Sequence, residues 1–374
     1  MTFHPFELER WQSTWEHRVR YNLSESGVHP LSVRELLALA DAAADPLLDV
    51  RLGYSQSNGT ELLRERIAAL YPGATLDHVL VTTGSSEANF VTSWHLIERG
   101  DRVTVVVPSY LQTNGLARNF GAEVRELTLR FERAWEPDPA DIRRAIPEGT
   151  KLVVVTNPHN PSGHVLSAQT RTAIVDRVTA VGAWLLADEV YQGAERSGVT
   201  TPSFWGTYDR LIIVSGLSKA YGLPGLRVGW VVSTPQITEQ AWMRHDYTTI
   251  GPSGAVDHLA ALALAPDTRA RILARTRGIL NENYPVLERW LTRFGDTFAW
   301  HPPEAGAICF ARYRPAVSGL ELIEHLRAHH DVLLVPGEHF GMPGFIRFGM
   351  GNEREELEAA LTETERGLRH VFGD

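Results

Sequence analysis

The chain has a single cysteine, no long apolar run and no excess of basic residues. Because Cys309 is the only cysteine, no internal disulfide can form, and a reducing compartment is expected. No stretch approaches the roughly 18 apolar residues of a membrane span, and the first twenty residues lack the apolar core of a signal peptide. The net charge of −9 argues against a nucleic acid or an anionic membrane surface as a partner. These absences predict a cytoplasmic protein that binds neither nucleic acid nor membrane.

Between about residues 60 and 265, short β-branched runs alternate with helix-sized amphipathic stretches. The apolar runs are 79–82, 103–107, 152–156, 184–187, 211–214 and 228–232. Continuous apolar runs of this length indicate strands buried on both faces of a mostly parallel sheet. In such sheets, ligands bind at the carboxyl ends of the strands. The sequence therefore predicts an α/β fold whose site residues follow these runs.

The pattern changes after about residue 265. A long polar helix is predicted over 268–294, followed by short strands and a final amphipathic helix over 353–372. The 374 residues are enough for two domains. We predict a large cofactor-binding domain over 51–265 and a small α+β domain over 266–374. Residues 1–50 form an N-terminal segment that joins the small domain.

The most informative motif is SGLSKAYGLPGLRVGW at residues 215–230. Lys219 follows an apolar run, Ser218 stands beside it, and Arg227 lies eight residues further on. Burial lowers the pKa of a lysine, and such an amine can attack a carbonyl to form a Schiff base. Serine and arginine suit a phosphate monoester. An aldehyde that carries a phosphate points to pyridoxal 5′-phosphate (PLP). The alternative is a surface lysine beside an ordinary ion-pairing arginine.

Two further motifs follow predicted strands. Gly84, Ser85 and Ser86 open a helix after the run 79–82, and small residues there leave backbone N–H groups free to bind phosphate. A plain helix cap is the alternative. Tyr110 follows the run 103–107, where its ring can stack on a flat heteroaromatic cofactor or can be part of the core.

Polar residues also follow the next two runs. Asn157 lies in TNPHNPSG (156–163), a rigid double turn, and its amide can donate a hydrogen bond to a cofactor oxygen. Asp188 and Tyr191 lie in ADEVYQG (187–193). A buried aspartate needs a partner, which a cationic pyridinium nitrogen supplies. The alternative for Asp188 is a helix cap.

These motifs stand in the order typical of fold type I PLP enzymes, and the chain resembles class I and II aminotransferases of the aspartate aminotransferase superfamily from about Gly27 to Arg347. The resemblance implies an aspartate-aminotransferase-like fold with a seven-stranded sheet and PLP bound to Lys219. It assigns Tyr110 to the pyridine ring, and Asn157 and Tyr191 to the phenolic oxygen of PLP.

The same resemblance implies further roles. In LGYSQSNGTELLRERIA (52–68), Tyr54 corresponds to a tyrosine that reaches the phosphate across a dimer interface, which predicts a homodimer. In GFIRFGMG (344–351), Arg347 binds the substrate carboxylate, assisted by Asn157 and Gly27. The chain has Gly216 where relatives often have serine or threonine, so that Ser218 carries more of the phosphate contact.

The flanking segments bear on the reaction. Residues 8–11, 25–29, 219–230, 244–247 and 332–341 resemble PLP-dependent cyclases that turn a hydroxylated arginine into a cyclic guanidino amino acid of the capreomycidine or enduracididine type. A guanidinium substrate requires carboxylates, for which Glu9, Glu25 and Asp246 are candidates. His29 is a candidate acid or base for loss of hydroxide. Each also has an ordinary structural alternative as a solvated, paired or turn residue.

Three other functions remain open from the sequence. An aminotransferase, which moves the amino group to a 2-oxo acid, uses the same cofactor motifs. A PLP-binding regulator would carry a DNA-binding helix-turn-helix, but the residues before Tyr54 lack a basic recognition helix. An inactive scaffold is disfavoured because Lys219, Asp188, Tyr191 and Arg347 are all present. No residue spacing resembles a metal site. The prediction is an enzyme in which Lys219, Asp188 and Tyr191 are catalytic.

Overall fold

The computed structural model describes residues 3–314 and 316–373. The strands are, in chain order, β1 Tyr21–Asn22, β2 Val79–Thr82, β3 Arg102–Val107, β4 Glu123–Thr128, β5 Thr150–Thr156, β6 Trp184–Asp188, β7 Leu211–Gly216, β8 Gly229–Val232, β9 Phe298–Trp300, β10 Ile308–Tyr313, β11 Val332–Leu333, β12 Val335–Pro336 and β13 Phe345–Gly349. The α-helices are α1 Glu7–Trp15, α2 Val33–Leu39, α3 Asp45–Leu48, α4 Glu61–Ala68, α5 Ser85–Leu96, α6 Gln112–Phe120, α7 Pro139–Ala145, α8 Ala168–Val181, α9 Pro235–His245, α10 Gly254–Ala263, α11 Pro266–Thr292, α12 Gly319–His330 and α13 Arg354–Phe372.

A seven-stranded sheet forms the centre of the larger part of the molecule. Its strand order is β2-β8-β7-β6-β5-β3-β4. The pairs within β4, β3, β5, β6 and β7 are parallel, and β8 is antiparallel to both of its neighbours. The predicted mostly parallel α/β sheet is therefore confirmed. The apolar runs in the sequence did not predict β4, because this edge strand buries only Leu127 and has no continuous apolar run.

Burial on both faces of the sheet explains why the central strands appear in the sequence as continuous apolar runs. Along β5, Val153 and Val155 face one hydrophobic cluster, whereas Leu152 and Val154 face another on the opposite side of the sheet. The same alternation holds along β6 and β7. Full burial of each such side chain contributes roughly 1.5–3 kcal/mol. A sheet held from both sides gives the residues at its strand ends a rigid base.

A second, four-stranded antiparallel sheet has the order β12-β13-β10-β9. The N-terminal strand β1 pairs in parallel with β11, with Tyr21 opposite Val332 and Asn22 opposite Leu333. The N-terminal segment therefore contacts the C-terminal part of the chain. The domain boundaries at residues 50 and 265 stay a prediction. Across residues 3–314 and 316–373, no helix has the length and apolar character that crossing a membrane requires.

Candidate active site

One cavity of about 360 Å³ contains most of the predicted site residues. It lies at the carboxyl ends of β5 and β6, beside the first turn of α5 and the loop after β7. The predicted residues that line it are Glu9, Glu25, Ser85, Ser86, Tyr110, Asp188, Tyr191, Ser218, Lys219, Arg227 and Arg347. The parallel strands account for this convergence, because their carboxyl ends meet at one edge of the sheet.

Lys219 follows β7 and faces a carboxylate. Its Nζ lies 3.7 Å from Oε2 of Glu25. The Lys219 side chain is 26% exposed, so its burial is less complete than the apolar run 211–214 predicts. The pKa of Glu25 is lowered, mainly by the positive charge of the Lys219 ammonium group. The backbone of Gly27 lies close to the backbone of Lys219, since a Cβ on Gly27 would lie 3.6 Å from Cα of Lys219.

Asp188 is the last residue of β6 and is buried. Its Oδ1 accepts a hydrogen bond from the Val190 backbone N–H at 3.1 Å, and its Oδ2 accepts one from Nδ2 of Asn89 at 3.3 Å. Burial raises the pKa of Asp188 to about 6, because these neutral donors only partly replace water. A cation bound beside Asp188 would stabilise its ionised form.

Asn157 and Tyr191 are both buried near Asp188. Oδ1 of Asn157 accepts the Leu166 backbone N–H at 2.9 Å, which fixes the orientation of the amide. Nδ2 of Asn157 is buried and has no hydrogen-bond partner among the described residues. A buried donor without a partner is costly. The Asn157 amide is thus oriented to donate to a bound group.

The first turn of α5 forms a pocket for an anion. Gly84, with φ of +81°, precedes the helix, and no side chain in the described part of the chain caps its N-terminus. Free N–H groups and the positive end of the helix dipole attract a negative group there. The Arg227 guanidinium lies against Gly84, where an added Cβ would collide with it. Nη1 of Arg227 also donates to Oγ of Ser218 at 3.4 Å. These residues suit a phosphate.

Gly216 is the position at which the family resemblance predicts a serine or threonine. It pairs with Gly229 across β7 and β8. A Cβ on Gly216 would lie 2.8 Å from the backbone oxygen of Val228, so a side chain there would force the two strands apart. The close approach of these strands explains the glycine, and it leaves Ser218 as the hydroxyl beside Arg227.

Tyr110 connects the strand ends to the N-terminal helix α1. Its hydroxyl donates a hydrogen bond to Oε1 of Glu9 at 2.6 Å. Burial and the Glu9 carboxylate raise the pKa of Tyr110 well above its usual range. The ring of Phe6 packs edge-on against Tyr110, with centroids 4.8 Å apart. These contacts hold α1 beside the cavity.

Arg347 is buried on β13 and donates hydrogen bonds to two other segments of the chain. Its Nη1 donates to Oδ1 of Asn160 at 3.0 Å, and its Nη2 donates to the backbone oxygen of Ser24. Its Nε is buried and has no hydrogen-bond partner within the described residues. Desolvation lowers the pKa of Arg347, which an anionic ligand would counteract. A carboxylate is the ligand that a guanidinium fork binds best.

The cavity also has an acidic wall, defined here as Glu9, Glu16 and Glu25. Glu9, Gln12 and Glu16 are three and four residues apart, which puts them on one face of α1 and its C-cap. Sequence reasoning named Glu9 and Glu25 but missed Glu16 and Gln12. The helical spacing was the signal that could have found them.

Three other candidates lie away from the cavity wall. Tyr54 is 98% exposed and forms an isolated bridge with Ser253. The His29 ring contacts Nη2 of Arg275 at 2.9 Å and does not line the cavity. Asp246 is exposed beyond the end of α9.

The residues present fit PLP. The unpartnered Asn157 amide suits its phenolic oxygen, and the buried Asp188 carboxylate suits its pyridine nitrogen. The first turn of α5 with Arg227 suits its phosphate, and Lys219 offers an amine to its aldehyde. Each polar part of the cofactor thus has a matching group in the cavity or, for Asn157, directly after the lining residue Thr156.

Comparison with known proteins agrees with this fit. Capreomycidine synthase of Streptomyces vinaceus is 36% identical over 360 residues, which cover 95% of this chain and 91% of that protein. The crystal structure of a PLP-dependent aminotransferase from Streptococcus suis has a TM-score of 0.93 at 31% identity, over 99% of both chains. The PLP-dependent cyclase OrfR has a TM-score of 0.91 at 32% identity, over 99% of this chain and 98% of the other.

The family model for aminotransferase class I and II matches residues 31–363. The match and the structural neighbours confirm the predicted aspartate-aminotransferase-like fold and PLP as the cofactor. They also confirm that the protein is an enzyme. The chain belongs to the class I and II aminotransferases, a family of PLP-dependent enzymes.

Proposed function

We propose that the protein removes water from a hydroxylated L-arginine and closes a cyclic guanidino amino acid of the capreomycidine or enduracididine type. One observation carries this proposal: Glu9, Glu16 and Glu25 line the same cavity as Arg347 and Lys219. The sequence similarity to capreomycidine synthase and the structural similarity to the PLP-dependent cyclase OrfR support it. Three carboxylates exceed what an uncharged side chain would need, whereas a guanidinium offers five N–H donors to them.

The assigned roles follow from the positions of the side chains. When bound, PLP supplies an electron sink at Cα of the amino acid, which permits loss of the α proton and of a nearby substituent. Arg347 binds the substrate carboxylate. The hydrogen bond from Nη1 of Arg347 to Oδ1 of Asn160, at 3.0 Å, orients the guanidinium group. Lys219 Nζ takes the α proton. Glu9 and Glu25 of the acidic wall bind the guanidinium group.

The remaining residues hold the cofactor in this proposal. Asp188 keeps a proton on the pyridine nitrogen, and Asn157 donates to the phenolic oxygen with Tyr191 beside it. Ser85, Ser86, Ser218 and Arg227 bind the phosphate, with Gly84 allowing the close approach of Arg227. Gly27 leaves room behind Lys219. His29 contacts Arg275 and does not line the cavity, so it takes no part in this proposal.

The test is mass spectrometry of the holoenzyme with 3-hydroxy- or 4-hydroxy-L-arginine in D2O, without a 2-oxo acid. We expect loss of one water, incorporation of deuterium and retention of the aldehyde form of PLP through many turnovers. A 2-oxo acid formed in proportion to the amino acid consumed would contradict the proposal.

An aminotransferase reaction is the second candidate, favoured by the similarity to the Streptococcus suis aminotransferase. In the same experiment it predicts a single turnover that converts PLP to its pyridoxamine form. Addition of a 2-oxo acid would then be required to restore the starting spectrum. The two reactions are thus separated by one absorbance measurement.

We further propose that the protein is a homodimer in which Tyr54 reaches the phosphate of the partner subunit. Leu48, Leu52 and Tyr54 are 77%, 94% and 98% exposed, an apolar surface that a second subunit would cover. Light scattering is expected to give twice the chain mass of 41.6 kDa. Tyr54→Phe, which removes only the hydroxyl, should weaken PLP binding and leave the dimer intact. A monomer with full PLP affinity would contradict this.

A further inference from the structure

Glu16 differs from the other two carboxyl groups of the acidic wall. Glu9 accepts a hydrogen bond from the Tyr110 hydroxyl at 2.6 Å, and Glu25 lies 3.7 Å from Nζ of Lys219. Glu16 has only a 3.4 Å contact with the solvent-exposed ring of His17 among the described residues. Among the described residues, therefore, no side chain that lines the cavity forms a hydrogen bond or an ion pair with the Glu16 carboxyl group.

The helix fixes where Glu16 points. Glu16 is the C-cap of α1 and keeps helical backbone angles, φ of −55° and ψ of −29°. Four residues earlier, Nε2 of Gln12 donates to the backbone oxygen of Ser24 at 2.8 Å. That buried contact ties this face of α1 to the segment that carries Glu25. Glu16 thus faces the cavity from a rigid base.

We propose that Glu16 is the proton donor to the hydroxyl group that leaves the substrate. This inference rests on the proposed cyclase function and adds a residue to it. As the C–O bond breaks, its electron pair stays on oxygen, which takes the Glu16 proton and departs as water. As a guanidinium nitrogen bonds to the same carbon, that nitrogen releases a proton, and the Glu16 carboxylate accepts it. One water leaves per ring closed, and Glu16 ends each cycle protonated.

The surroundings of Glu16 favour the protonated form that this role requires. Burial raises its pKa, and the nearby Glu25 and Glu9 carboxylates raise it further. His17 and Lys219 act in the opposite direction with smaller effect than burial. Within the wall, the pKa of Glu16 is therefore raised, whereas the Lys219 ammonium lowers the pKa of Glu25.

The test compares Glu16→Gln with Glu16→Asp and with Glu7→Gln, a control on the exposed side of the same helix. For Glu16→Gln we expect water loss to fall roughly 10²–10⁴-fold, the usual contribution of a general acid. Exchange of the α proton of L-arginine in D2O, followed by NMR, should continue at the wild-type rate. Glu16→Asp should recover part of the rate, and Glu7→Gln should behave as wild type.

Three further measurements test the role of Glu16, and the first two do not depend on turnover. Infrared difference spectra should show a protonated carboxyl group that is present in the wild type and absent from Glu16→Gln. Calorimetry should give similar affinities of both proteins for L-arginine. In the pH profile of water loss, the alkaline limb should be present in the wild type and in Glu16→Asp and absent from Glu16→Gln.

The outcomes separate the two proposals. Wild-type water-loss rate and pH profile in Glu16→Gln would overturn the role of Glu16 and leave the cyclase function standing. Equal loss of α-proton exchange and water loss would also overturn it, since Glu16 would then only shape the cavity. A wild-type enzyme that releases no water from either hydroxyarginine would overturn the cyclase function, and this role with it.

Discussion

Replacement of Lys219 by alanine is expected to lower the rate of α-proton exchange and of turnover on the order of 10³–10⁴-fold. The variant loses both the amine that binds the PLP aldehyde and the base at Cα. The geometry supports this, since Lys219 is the lysine that lines the cavity and its Nζ lies 3.7 Å from Glu25. Exchange into L-arginine in D2O, measured by NMR, gives the rate.

The chain has only two lysines, Lys151 and Lys219, so only two residues can form the Schiff base through a side-chain amine. Borohydride reduction of the holoenzyme followed by peptide mapping should place the cofactor mass on the peptide that contains Lys219. Lys151→Ala is the matched control, because this residue is exposed on β5 and away from the cavity. Label on the Lys151 peptide, or wild-type exchange by Lys219→Ala, would contradict the assignment.

Replacement of Asp188 by asparagine is expected to lower turnover roughly 10²–10³-fold, since a buried charge pair loses one partner. The amide keeps the shape of the side chain but cannot stabilise a protonated pyridine nitrogen. Nitrogen-15 NMR of labelled PLP should show that nitrogen protonated in the wild type and unprotonated in the variant. Glu189→Gln is the control, because its carboxylate is also buried but instead accepts hydrogen bonds from Ser203 and Phe204.

The same substitution should have the opposite effect on the cofactor-free protein. Burial raises the pKa of Asp188 from 3.8 to about 6, so the folded state binds this proton more tightly than the unfolded chain. The stability due to this carboxyl is greatest below pH 3.8 and falls as the pH rises from 3.8 to 6. At pH 7, Asp188→Asn should therefore be more stable than wild type by up to about 3 kcal/mol. Urea unfolding without PLP checks this, and equal stabilities at pH 7 would contradict it.

Much of the cofactor site could be predicted from the sequence because it depends on local patterns. An apolar run bounded by polar residues predicts a buried strand, and parallel strands bring their carboxyl ends together. Asp188 and Lys219 were found in this way, each at or just after a strand end. The edge strand β4 was missed, because a strand with one exposed face has no continuous apolar run.

The acidic wall could not be predicted from local sequence patterns. Glu9 and Glu25 were named through resemblance, and nothing local distinguished them from solvated glutamates. Glu16 was missed because its helix also has exposed acidic positions such as Glu7. Whether a glutamate of α1 faces solvent or a cavity depends on where the helix docks, and that depends on contacts with residues far along the chain.

By itself, the sequence determined the α/β sheet and its strand ends, since these follow from local hydrophobic patterning, and its motif order predicted PLP as the cofactor together with candidate residues to bind it. Only the tertiary structure decided which acidic residues share a cavity with Arg347. Tyr110 meets Glu9 across 101 residues, and Arg347 meets Ser24 across 323. Contacts of this range form only when the N-terminal segment packs against both parts of the molecule, because burial and hydrogen bonding over the whole fold, rather than local preference, fix its position.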